Sequence, residues 1–249
     1  MNTLFLGQTL IKLDTVDSTN NYAAKLVSGT NVADGTVILT YNQTSGRGQQ
    51  GSKWISEEGQ NLTFSIVLAP KNIAIEDQFI ISKAVSVAII NYLKEEHNIK
   101  AKIKWPNDIY IGKSKISGIL IENTLAGNSI KNTIVGIGFN VNKSSFKGID
   151  RPITCLHEQI EKELNLNDVL SDICYYIEKL YMQLRTNNYK ITENLYLENL
   201  LGLNQSLTFE DKSGEFKGEI KGVSNIGELL IQKETELCNY QNKEIKFML

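Results

Sequence analysis

Apolar positions along the chain recur at two periods, and the switches between those periods predict its elements. Tyr22, Ala23, Leu26 and Val27 lie near helical spacing directly after Asp17-Ser18-Thr19-Asn20, so the pattern predicts a short helix capped by Asp17 or Ser18. Thr36 to Tyr41 is a β-branched run that predicts a buried strand, and Asn61 to Leu68 predicts another. Between them, Gln43 to Ser56 turns polar and carries Gly46, Gly48 and Gly51, the composition of a mobile loop. From Ala74 to Glu95 the apolar residues Phe79, Ile80, Val87, Ile90 and Leu93 return to helical spacing.

The middle of the chain is β-rich. Ile103, Ile109 to Ile111, Ile116 to Ile121 and Thr133 to Val141 are short apolar runs punctuated by Pro106, Asn107, Gly112 and Gly127, which predicts a meandering sheet. The stretch Thr133 to Gly138 reads equally as a sheet edge, where a second copy could dimerise, or as a buried central strand, so monomer and homodimer both stay open. Helical patterns follow at Val169 to Leu184 and about Thr192 to Leu201. After Gly202 the chain alternates through Ser206 to Phe209, Phe216 to Val223 and Leu229 to Gln232, with Gly214, Gly218, Gly222 and Gly227 between, which predicts a small β-barrel. The expected architecture is α+β: a mixed β-sheet with flanking helices in residues 1–201, then a small β domain in 202–249.

Composition narrows the function classes. With 26 Lys and Arg against 28 Asp and Glu, no strongly basic face is required, so DNA is not an expected partner. Cys155, Cys174 and Cys238 are odd in number and widely spaced, which suits neither a disulfide framework nor a zinc site, and they read as reduced thiols. The apolar stretch Phe79 to Leu93 is interrupted by Lys83 and too short to span a bilayer, and the N-terminus has no signal-like segment; no membrane role and a cytoplasmic location are expected.

Three segments stand out chemically. Gln43 to Trp54 gathers three glycines, Arg47, Lys53 and Trp54, so bared backbone amides and two cations can cradle a carboxylate or phosphate beside a flat aromatic face. A flexible surface loop with one anchored tryptophan is the plainer alternative. Lys104-Trp-Pro-Asn-Asp108 fixes a turn that presents Asn107 and Asp108 at a strand end, or simply satisfies its own backbone. Lys115-Ile-Ser-Gly118 puts a lysine within an apolar strand, where lysines ordinarily face solvent. Gly112-Lys113-Ser114 ends like a P-loop, but Asn107 stands where that motif needs its first glycine. His97 and His157 lack metal-ligand partners at helical spacing, and no metal ligand set is read from the sequence.

Taken together, Asp17-Ser-Thr-Asn20, Gln43-Thr-Ser-Gly-Arg-Gly48 with Trp54, Lys104-Trp-Pro-Asn-Asp108, Lys115-Ile-Ser-Gly118 and Gly136-Ile-Gly-Phe-Asn140 resemble the biotin protein ligase family in order and spacing. The resemblance covers residues from about 10 to 142, and the β-rich tail is similar to that family's small C-terminal SH3-like barrel. It implies a class II synthetase-like catalytic domain that makes biotinyl-5'-adenylate from biotin and ATP, then passes biotin to a lysine of a biotin carboxyl carrier protein domain of a carboxylase.

The same resemblance implies residue roles. Lys115 would lie between the biotin carboxylate and the α-phosphate, with Arg47, Gly46 and Gly48 holding both anions. Ser18, Thr19, Asn20, Gln43 and Gly118 match positions around biotin, while Trp54, Gln49, Asn107 and Asn140 match positions around the nucleotide. Lys104 and Asp108 match the segment near the phosphates, where Asp108 would place Mg²⁺ or orient the incoming lysine; a hard cation held mainly by phosphate oxygens needs few protein ligands.

Two departures accompany the match. Many relatives carry arginine directly after the second loop glycine, where this chain has Gln49, which implies a less firmly held adenylate. Only 16 residues precede Asp17, too few for the DNA-binding winged helix of some relatives, so repression through that domain is not expected. The rival functions are lipoate or octanoate attachment, which shares the fold, and a non-catalytic biotin or nucleotide sensor, against which Lys115 argues.

Overall fold

The computed structural model describes residues 1–142 and 152–248. The first part of the chain runs β1 (Leu10–Val16), α1 (Thr19–Gly29), β2 (Thr36–Gln43), β3 (Leu62–Leu68), α2 (Phe79–His97), β4 (Lys102–Lys104), β5 (Asp108–Ile111), β6 (Ser114–Ala126) and β7 (Ser129–Phe139). Three helices follow: α3 (Leu156–Ile160), α4 (Leu166–Arg185) and α5 (Lys190–Asn199). Strands β1 to β7 form one mixed sheet in the order β1-β2-β3-β7-β6-β5-β4. The β1–β2 pair is parallel, with α1 as its crossover, and the remaining pairs are antiparallel.

Alternation along the strands sorts side chains to two faces. Ile38, Val67 and Ile134 meet Ala23 of α1 on one face, whereas Val37, Leu39, Phe64, Ile66, Val135 and Ile137 enter the larger core. Helices α4 and α5 cover α2, so every residue from Ile80 to Ile90 is buried. That carries Lys83 into the core, where its ammonium has Glu193 at 3.7 Å and the Tyr196 ring centroid at 6.0 Å. Burial pushes its pKa below the ordinary lysine value, against the opposing pull of Glu193. On α4 the buried Glu178 carboxylate accepts the backbone N–H groups of Leu4, Phe5 and Leu6 at 2.7, 2.8 and 2.9 Å, tying the N-terminal segment to the core.

The tail contains β8 (Ser206–Asp211), β9 (Gly214–Val223), β10 (Leu229–Lys233), β11 (Glu236–Tyr240) and β12 (Lys246–Phe247), an antiparallel sheet in the order β11-β10-β9-β8-β12. Among the described residues no strand pairing joins β11 to β12, so the small β domain is an open five-stranded sheet; Tyr240 of β11 stacks on Phe216 of β9, and Phe247 of β12 packs edge-on against Phe209 of β8. Its buried Phe209, Ile220, Leu229 and Ile231 belong to the same contiguous core as α2 and α4. Trp105 Nε1 also donates to the Gly227 carbonyl at 2.9 Å.

Three expectations change. The stretch Thr133 to Gly138 lies in β7, paired on both sides with β3 and β6, so it is no edge; β1 and β4 are the edges. Strand β1 adds to the expected elements: only its flank toward β2 is paired and its residues are mostly half-exposed, so its sequence carries little apolar alternation. Ser18 occupies the N-cap of α1, but its hydroxyl makes no capping bond there. The three cysteines are free thiols, and no helix among the described residues is long and apolar enough to cross a membrane.

Candidate active site

The site is built on a floor of glycines. In the β6–β7 pair Gly118 lies opposite Gly138 and Leu120 opposite Gly136. A Cβ on Gly136 would overlap the Asn20 carboxamide, one on Gly138 the Trp54 indole, and one on Gly118 would crowd Lys115 Nζ and Trp54. The absent side chains thus let Asn20 and Trp54 lie against the strands.

The backbone N–H at the start of α1 is satisfied from another strand. Gln43, at the end of β2, accepts the Thr19 N–H on its Oε1 at 2.9 Å, which does the work expected of a local cap. Ser65 Oγ donates to Asn20 Oδ1 at 2.6 Å and lies 2.7 Å from the Thr19 hydroxyl. Asn20 Nδ2 donates to Glu122 Oε2 at 2.7 Å and to the Leu120 carbonyl at 3.3 Å. Both ends of that amide are engaged by protein, so Asn20 shapes the cleft.

The glycine-rich segment is a folded hairpin. Gly48 N–H donates to the Ser52 carbonyl at 2.7 Å, Trp54 N–H to the Gly46 carbonyl at 3.0 Å, and Arg47 bridges Lys53 across the strand pair. Arg47 donates to Asn21 Oδ1 and pairs with Glu122. Glu122 is therefore shared between Asn20 and Arg47.

Lys104 to Asp108 forms the β4–β5 connection, with a cis peptide bond before Pro106. Asn107 Nδ2 donates to the Ile119 carbonyl at 2.5 Å, bracing β6. Lys104 Nζ lies 5.2 and 5.5 Å from the ring centroids of Tyr110 and Phe247. The β5–β6 register then slips between Ile109 and Tyr110. Lys115 and Gly118, three residues apart, would face opposite sides of a regular strand; the bulge puts both on the cleft face. There Lys115 Nζ meets Asp108 Oδ1 at 2.5 Å and lies 5.6 Å from the Trp54 ring centroid.

These elements enclose a cleft of about 500 Å³ that gathers Ser18, Thr19, Asn20, Gln43, Arg47, Gly48, Gln49, Trp54, Lys104, Asn107, Asp108, Lys115 and Gly118. Two anticipated residues lie elsewhere. Gly46 lines an adjoining hollow of the same loop, where a Cβ would run into the Trp54 carbonyl and the Gln43 amide. Asn140 is 2% exposed and donates to the Thr154 carbonyl at 3.1 Å, because it closes β7 onto the Thr154 segment. Sequence reasoning missed Glu122 and Ser65, which hold Asn20, Arg47 and Thr19 from behind the lining, and the lining contribution of Asn242, Lys243, Ile245 and Phe247.

Charge gives the cleft its character. Its lining carries six cations (Arg47, Lys53, Lys104, Lys115, Lys243 and Lys246) and one carboxylate, Asp108, in a chain whose net charge is −2. A partly enclosed, strongly positive cleft beside an aromatic face suits a ligand bearing carboxylate and phosphate groups. Fold and site define an α+β protein built to bring anions together under a glycine-rich loop. The chain belongs to the biotin/lipoate A/B protein ligase family, whose model matches residues 13–140.

Individual relatives agree. The bifunctional ligase/repressor BirA of Bacillus subtilis is 30% identical over 249 residues, covering 99% of this chain and 76% of that protein. A biotin–[acetyl-CoA-carboxylase] ligase of Paracoccus denitrificans is 26% identical, covering 87% and 91%. The structure of a biotin protein ligase from Aquifex aeolicus in complex with biotin and ATP superposes with a TM-score of 0.79 at 29% identity, covering 96% of this chain and 98% of that one.

Proposed function

We propose that this chain is an ATP-dependent biotin protein ligase. A biotin carboxylate oxygen attacks the α-phosphorus of ATP and expels pyrophosphate; the ε-amine of a carrier lysine then attacks the acyl carbon and expels AMP. The observation that carries the reading is the six-to-one excess of cations over carboxylates in the cleft, centred on the buried Lys115 ammonium. Two anions repel as they approach, and a preorganised cation in a poorly hydrated site offsets that repulsion where charge develops.

In this reading Lys115 bridges the carboxylate and the α-phosphate, and Asp108 holds it in place. Arg47 and the Gly48 amide grip the anions, Lys104 approaches the phosphates, and Trp54 separates the acyl and adenine arms above the glycine floor. Ser18, Thr19 and Gln43 bound the biotin end, and Gln49 and Asn107 the nucleotide end. Mg²⁺ accompanying ATP would rest mostly on phosphate oxygens, with Asp108 as the one carboxylate of the cleft lining to hold it, and would neutralise the polyphosphate. Residues 1–201 form the catalytic unit and 202–249 a module that completes its wall.

The acceptor is a carboxyl carrier domain and the location cytoplasmic. Purified protein, biotin and ATP should release pyrophosphate once per site, and continuous turnover should begin on adding a biotin carboxyl carrier domain. Release without transfer would reduce the protein to an adenylating sensor.

A further inference from the structure

We propose that Asn242 is a positioning residue that latches the tip of the glycine-rich loop across the mouth of the cleft. Its Nδ2 donates to Gln49 Oε1 at 2.6 Å, joining residues 193 positions apart, and both line the cleft. The loop's internal bonds close its stem, and Arg47 fixes that stem to Asn21 and Glu122. Gln49 begins the short turn at the tip, Gln49–Gly51, and its side chain reaches the other module.

Asn242 stands on a braced turn. Gln241 N–H donates to Glu244 Oε2 at 2.7 Å, Glu244 N–H donates to the Gln241 carbonyl at 3.1 Å, and Asn242 bridges Ile245, whose side chain is buried in the core. The tail sheet is in turn fastened beside the Lys104–Asp108 turn by the Trp105–Gly227 bond. Loop tip, tail and catalytic turn thus form one closed circuit. A neutral amide pair is weak enough to open for ligand passage, and an arginine at position 49 could not accept the Asn242 proton.

The consequence for chemistry, that the latch slows escape of the adenylate, rests on the biotin ligase reading; the latch itself does not. The test compares Asn242→Ala, the near-isosteric Asn242→Asp, Gln49→Ala and the Asn242→Ala/Gln49→Ala double variant in the full chain. Without ligand, tryptic cleavage after Arg47 and Lys53, followed by mass spectrometry, should quicken about fivefold in Asn242→Ala and in Gln49→Ala, the loss expected of one neutral hydrogen bond, and less in Asn242→Asp, whose carboxylate can still accept from the Gln49 amide. The double variant should be no faster than the alanine singles, and the melting temperature should hold.

With biotin and ATP but no carrier, release of adenylate should rise by a similar factor, more than its rate of formation changes. Unchanged cleavage in the alanine singles, or multiplying effects in the double, would overturn the latch. Faster cleavage in the single variants, beside a wild type that makes no biotin adenylate, would leave the latch standing and remove the proposed function.

Discussion

Lys115 Nζ and Asp108 Oδ1 meet at 2.5 Å on the cleft wall, their side chains 8% and 17% exposed. The bulge in β6 aims the lysine, and the carboxylate fixes its ammonium where an uncompensated charge would be costly. Lys115→Ala should cut the first-turnover rate of adenylate formation by roughly 10² or more, the scale of removing one preorganised stabiliser. Asp108→Asn should lower it about tenfold through misplacement of the lysine. Rapid-quench measurement of pyrophosphate decides this, and a Lys115→Ala rate within a few fold of wild type would remove the lysine from the reaction.

Arg47 is already paired with Glu122 before any ligand arrives, so an incoming anion must compete with that carboxylate. Glu122→Gln keeps an acceptor for Asn20 while releasing the arginine. Both partners are more than a third exposed, 41% and 35%, so folding stability should change by less than about 1 kcal/mol. Pyrophosphate binding, read by calorimetry, should tighten about threefold as the cleft gains positive charge. Weaker binding would mean that Glu122 helps hold the ligand-competent loop.

Gly138 makes room for Trp54. Gly138→Ala adds a methyl group where the indole lies, and the ring must leave the floor. The cost is about 1–3 kcal/mol of overpacking, levied on the loop because β7 is pinned between β3 and β6. Biotin affinity should fall at least about fivefold, by the tenfold-per-1.4 kcal/mol relation. Trp54 fluorescence, measured with Trp105→Phe as the common background, should shift red; an unshifted spectrum would show that the ring rests elsewhere in solution.

Lys83 is a buried ammonium outside the proposed site, 5% exposed, with Glu193 at 3.7 Å as its counter-charge. Burial holds its folded pKa below the ordinary lysine value of 10.5, so the unfolded chain holds the proton more tightly. Stability from this group therefore grows as pH rises toward 10.5. Lys83→Met should raise stability at pH 7 by about 1 kcal/mol or more, with the advantage shrinking toward pH 10. Chemical denaturation at the two pH values checks this, and a destabilised variant would mean that the Glu193 pair outweighs the burial.

The sheet and long helices were readable because their apolar spacing is strong: β2, β3, α2 and α4 all lie close to their expected spans. Strand β1 and the five-residue α3 carried too little periodic signal, and β11 is largely exposed. The cleft was legible wherever a motif holds its residues close in sequence, as in Lys104 to Gly118. It was not legible where topology alone unites residues, as with Glu122 and Arg47, or Asn242 and Gln49. Asn140 belongs to a recognisable motif, and its amide donates to the backbone carbonyl of Thr154, a bond its sequence position does not announce.

Isothermal titration with biotin and with lipoate, each with a non-hydrolysable ATP analogue and Mg²⁺, tests the proposed function most directly. Biotin should bind tightly and lipoate should not. Lipoate binding without biotin binding would contradict the biotin ligase reading and move the protein to the lipoyl branch of the same family.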